Sequence, residues 1–112
     1  MTGIAERVLQ SSVRAEARTI DSVFKNLVEE VGELSRALNR PWRCDEPAIC
    51  EIADVINCAI DLAFMLEMED AVDPDQEDRM DRAALAQRRL EYFVDKKCDK
   101  WDRGENADPG EK

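Results

Sequence analysis

The sequence predicts an all-α domain arranged as an antiparallel four-helix bundle, and three observations carry that expectation. Apolar residues recur at helical spacing in four separate stretches. Only four Gly and four Pro punctuate the 112 residues, and aromatic residues make up 5%. Charged residues make up 38%, enough to solvate an outer face on every helix.

The first helix is expected from about Gly3 to Arg18, with Thr2 as its cap and Ile4, Val8, Ser12 and Val13 as a modest stripe. The second should start near Asp21 or Ser22 and run to about Leu38. Its stripe of Phe24, Leu27, Val28, Val31, Leu34 and Leu38 is strongly periodic. Asn39 to Asp45, containing Pro41, breaks the pattern and reads as a loop. Pro47 suits the first turn of a third helix, capped by Asp45 or Glu46 and reaching about Met68. Ile49, Ile52, Ile56, Ala59, Ile60 and Ala63 form its main stripe, with Val55, Leu62, Phe64 and Leu66 around it, so it is expected to be the most buried element. Asp73-Pro74-Asp75-Gln76 reads as an Asp cap, Pro at the first helical position and Gln at the third. The fourth helix then extends to about Trp101. Residues 1–103 form one domain, and the polar stretch 104–112, with Pro109-Gly110, reads as a disordered tail.

Charge and composition exclude several functions. A net charge of −10 opposes binding to nucleic-acid backbones or anionic membranes. No apolar run has the length of a membrane span. The segment Met1 to Arg7 lacks a basic region and an apolar core, so no signal peptide is expected and a cytoplasmic setting is the default. Cys44, Cys50, Cys58 and Cys98 are not spaced as a zinc site and read as free thiols. There is no His, which removes imidazole bases and Ser-His-Asp triads.

The chemistry-bearing pattern is acidic. Glu30 and Glu33 are spaced i, i+3, and so are Glu51 and Asp54, eighteen positions after Glu33. That interval holds the rest of one helix, a turn and the start of an antiparallel partner. If the two helices face each other, four carboxylates meet, and such a cluster needs cations to be stable. Hard oxygen donors in that number suit Mg²⁺ or Mn²⁺. Asp61, Cys58 and Met65 share the acidic face of the third helix. The bland alternative is a solvated acidic face. Cys58 and Met65 weigh against it, as does the otherwise apolar helix that bears them.

Glu29-Glu30-Val31-Gly32-Glu33, followed by Glu51-Ile52-Ala53-Asp54, resembles the paired motifs of the MazG-like all-α nucleoside triphosphate pyrophosphohydrolases. The likeness spans roughly Phe24 to Arg103. It implies a helical bundle, assembled as a dimer or tetramer, that cleaves (deoxy)nucleoside triphosphates to monophosphate and pyrophosphate with Mg²⁺, two or more ions per site. Mn²⁺ is expected to substitute. On that resemblance Glu30, Glu33, Glu51 and Asp54 are metal ligands, and Glu29 orients or deprotonates the attacking water. Lys97, Lys100 and Arg103 are similar to the family's late basic segment and would hold the departing phosphates, although Trp101 replaces the usual Asn. Their other reading is a basic last turn favoured by the helix dipole.

Asn57, one turn after Asp54, is a candidate for sugar or base contact or an ordinary polar edge residue. Trp42 is a candidate for base stacking or for packing over a helix end. Tyr92 and Phe93 read as core or subunit interface. Among substrates, a purine deoxynucleotide such as dGTP is favoured, with dUTP, dCTP or broad specificity as alternatives. The cytoplasm would be a host's if the chain is phage-encoded. A non-enzymatic acidic helical adaptor and a divalent-metal buffer are the readings from other classes.

Overall fold

The computed structural model describes residues 3–104. It contains four α-helices, α1 (Ile4–Arg14), α2 (Ile20–Asn39), α3 (Ala48–Glu67) and α4 (Gln76–Asp102), with a 3-10 turn at Pro41–Arg43 between α2 and α3. The expected Thr2 cap and the expected tail from residue 105 onward lie outside the described residues.

The helix starts follow local chemistry. Thr19 caps α2 by accepting a hydrogen bond from the Ser22 N–H at 3.0 Å, and the Ser22 hydroxyl returns one from the Thr19 N–H at 3.2 Å. This reciprocal box moves the start of α2 ahead of the expected Asp21 or Ser22. Asp75, not Asp73, caps α4 and accepts from the Asp78 N–H at 2.8 Å. Asp73 instead takes a positive φ of 46°, a conformation Asp tolerates at turns. Pro47 is the residue before α3 rather than its first helical position.

α1 ends at Arg14, four residues short of the expected Arg18. Arg18 is drawn away to Asp61 on α3, donating from Nε at 3.0 Å and also from Nη2. Its Nη1 donates to the Glu16 carbonyl at 3.0 Å, so the segment after α1 folds around the guanidinium. Arg79 pins the same segment to α4 by donating to the Ala15 carbonyl at 3.0 Å.

α3 is the shared element, packing against α1, α2 and α4. The core lies on one side of it, where Leu9 and Val13 of α1 meet Ile60 and Phe64 of α3 and Ala83 and Ala86 of α4. Arg82 donates to the Glu67 carbonyl at 2.7 Å and Arg89 to the Glu67 carboxylate at 2.6 Å, which ties the end of α3 to α4. α2 packs almost entirely on α3 as an antiparallel hairpin. Val23 and Ala37 are buried there, and Leu27 and Leu34 half-buried.

Two expected stripes are therefore only partly core. Phe24, Val28, Val31 and Leu38 of α2 stay exposed, about 100° round the helix from the side that faces α3. Ile49 and Ile52 of α3 are exposed too, along with Leu66. Because the helices are antiparallel, these two apolar faces open on the same side of the hairpin. Among the described residues, no helix is long and apolar enough to cross a membrane.

Candidate metal centre

The α2–α3 hairpin is built around acids as well as apolar contacts. Glu30 lies on the side of α2 marked by Val23, Leu34 and Ala37, so the packing that buries those residues carries it inward. Glu51 lies in the first turn of α3 and Asp54 one turn on. One carboxylate oxygen each from Glu30, Glu51 and Asp54 lies within 4.8 Å of the others. Glu51 is nine-tenths buried, an unusual state for a carboxylate. Glu30 Oε2 and Glu51 Oε2 are both buried with no hydrogen-bond partner among the described residues.

Glu33 is exposed and stands on the rim of this triad. Its position follows from helix geometry, since it sits about 60° further round α2 from α3 than Glu30 does. Its charge nevertheless bears on both Glu30 and Glu51. Desolvation raises the Glu30 carboxyl above its ordinary value of 4.5, and the charges of Glu33, Asp54 and Glu51 raise it further. Desolvation also raises Glu51, followed by the charges of Glu33, Asp54 and Glu46. Two buried carboxylate oxygens without donors, among four mutually repelling acids, form a donor set that suits a hard divalent cation.

No family model matches this chain, and no curated protein or solved structure was found similar to it.

The other sequence candidates divide. Asn57 is exposed on α3 and lines a cavity of about 460 Å³ together with Cys58 and Asp61, which follow Asp54 on the same helix. Glu29 is exposed beside Glu33, one turn before it on the solvent side of α2. Trp42 is exposed in the 3-10 turn and does not line that cavity. Lys97 and Lys100 lie in the final stretch of α4, which is exposed from Glu91 on, Arg103 follows its last residue, and none lines the cavity. Tyr92 and Phe93 make an edge-to-face pair, centroids 5.1 Å apart, and are exposed rather than core. All four cysteines are free thiols. Burial, then Glu30, Asp61 and Asp54, push the Cys58 thiol upward, so it stays neutral and offers no thiolate.

Sequence reasoning missed the far wall of the cavity, Arg7, Val8, Ser11 and Ser12 of α1 with Ala15 just after it. It also placed Asp61 with the acids, whereas Arg18 and Ser12 neutralise and satisfy it. A buried Ser12 within an apolar stripe and an isolated Arg18 were the available signals.

Proposed function

We propose that this protein is a divalent-metal-dependent pyrophosphohydrolase of the MazG-like kind, cleaving a (deoxy)nucleoside triphosphate to monophosphate and pyrophosphate. The observation that carries the reading is the pair of buried, partnerless oxygens on Glu30 and Glu51, within the triad completed by Asp54. Those residues would hold Mg²⁺ or Mn²⁺, with Glu33 on the rim as a fourth donor; a second ion is what the family resemblance adds. A bound divalent ion supplies positive charge to phosphate oxygens and acidifies a water. Without that charge, a chain of net charge −10 repels a polyanionic triphosphate.

Glu29, at the solvent edge beside Glu33, is placed in this reading to orient or accept the proton of the attacking water. Asn57 contacts the nucleoside from the cavity. Lys97, Lys100 and Arg103 lie away from the cavity of their own chain, so a phosphate-holding role for them requires a second subunit. A homo-oligomer is proposed on independent grounds, because the exposed apolar face shared by α2 and α3 is a surface that association would bury.

A panel of ribo- and deoxynucleoside triphosphates with Mg²⁺ or Mn²⁺, with products separated by chromatography, tests the reading. Monophosphate plus pyrophosphate, lost with EDTA, is expected. Diphosphate plus orthophosphate as the main products refutes cleavage at the α-phosphorus. Tight metal binding without turnover favours a metal buffer, and absence of both favours an adaptor.

A further inference from the structure

We propose that the cavity beside the carboxylate cluster is a nucleobase pocket in which Arg7 reads a guanine-type edge. The inference rests on the triphosphate reading of the cluster and goes on to name the base. The cavity, about 460 Å³, falls within the ~300–1,000 Å³ range of small-molecule sites. Its floor is Asn57, Cys58 and Asp61 of α3, and its far wall comes from α1. Asn57 and Cys58 follow Asp54 by one helical turn, about 5.4 Å along the axis, so phosphates held at the triad would direct the sugar and base into this space.

The wall chemistry is selective. Val8, Ala15 and the neutral Cys58 thiol offer apolar surface for a ring. Asp61 is not available to a ligand's donors, because it already accepts from Ser12 Oγ at 2.7 Å and from two nitrogens of Arg18. Among the described residues that line the cavity, Arg7 is the one cation. Among the described residues its guanidinium makes one hydrogen bond, Nη1 to Ser11 Oγ at 2.8 Å, which leaves other donors of the exposed fork for a ligand. Two parallel N–H donors match the adjacent O6 and N7 acceptors of guanine, whereas adenine sets an amino donor against them. Hypoxanthine presents the same two acceptors and should be read equally well.

The test compares kcat/KM for dGTP, dITP, dATP and 7-deaza-dGTP in the wild type, Arg7→Ala and Arg7→Lys, all with Mg²⁺. The expected result is dGTP and dITP preferred over dATP, with 7-deaza-dGTP impaired. Arg7→Ala should lose about 5- to 150-fold on dGTP, the worth of one bidentate pair, and change dATP by less than about twofold. Arg7→Lys should recover little of the preference. Calorimetric binding of dGMP and dAMP supplies a readout that needs no turnover. If the wild type hydrolyses triphosphates but treats dGTP and dATP alike, the base assignment is overturned and the hydrolase reading stands. An equal loss on every nucleotide in Arg7→Ala also overturns it and makes Arg7 a phosphate ligand. If no triphosphate is cleaved, the hydrolase reading fails. Weaker dGMP binding in Arg7→Ala then still supports the pocket, and equal or absent binding of both monophosphates overturns it.

Discussion

Asp61→Asn should destabilise the fold by about 3 kcal/mol, although Asp61 lies on the same helix as the candidate metal ligands. The Asp61 carboxylate accepts from Ser12 Oγ at 2.7 Å, from Arg18 Nε at 3.0 Å and from Arg18 Nη2. Arg18 also donates to the Ser12 carbonyl at 3.2 Å and lies over the Phe64 ring, 5.7 Å from its centroid. The two ionic side chains are 18% and 22% exposed. Breaking a fully buried pair costs about 3–5 kcal/mol, whereas a surface pair is worth ~0–1 kcal/mol. The observed burial places this pair near the lower end of the buried range. The amide keeps the shape and one acceptor, but it leaves the Arg18 charge uncompensated against Phe64. For a domain of this size, about 3 kcal/mol lowers Tm by roughly 12 °C. Thermal melting in EDTA by circular dichroism measures it. The double variant Arg18→Met/Asp61→Leu should recover most of the loss, since replacing both partners by apolar groups is often neutral. A melt of Asp61→Asn within about 2 °C of wild type would show that the network is solvated, and the reasoning would fail.

Three further outcomes are expected. Raised carboxyls at Glu30 and Glu51 mean that the metal-free native state retains protons which the unfolded chain has released. Stability in EDTA should therefore fall as pH rises through the ordinary 4.5 and then through the raised values. Glu51→Gln should flatten that fall, melt higher than wild type at pH 7 in EDTA and gain less from Mg²⁺, while losing turnover; a lower melt contradicts the crowded cluster. Glu29→Gln should leave metal affinity unchanged and slow the chemical step by about 10²–10⁴-fold, so a loss of metal affinity would instead make Glu29 a ligand. Sedimentation at micromolar concentration should show a homo-oligomer that Val31→Glu disrupts, and a wild-type monomer would contradict burial of the α2–α3 face.

Much of this was legible in the sequence because helical period is a local property. The four helices and the two acid pairs follow from spacing, whereas the inward turn of Glu30 follows from which edge of α2 meets α3. What was not legible depended on contacts distant in sequence. Arg18 was assigned to the end of the first helix because nothing nearby in the chain reveals its partner, forty-three positions on. The α2 stripe looked like one core face, but α3 covers only the edge with Val23, Leu27, Leu34 and Ala37 and leaves Phe24, Val28, Val31 and Leu38 exposed. Glu33 is on the rim rather than within the triad because i, i+3 residues differ by about 60° in direction. Arg7 and Ser11 carry no motif; only the crossing of α1 over α3 makes them a wall.

The central claim, that Glu30, Glu51 and Asp54 form a divalent-metal site, is tested most directly by anomalous diffraction from crystals grown with Mn²⁺. An anomalous peak bonded to oxygens of all three residues, with Glu33 as a further donor, is expected, and no peak there in Glu51→Gln crystals. Crystals in saturating Mn²⁺ with no peak at the triad, and its carboxylates arranged as they are without metal, would contradict it.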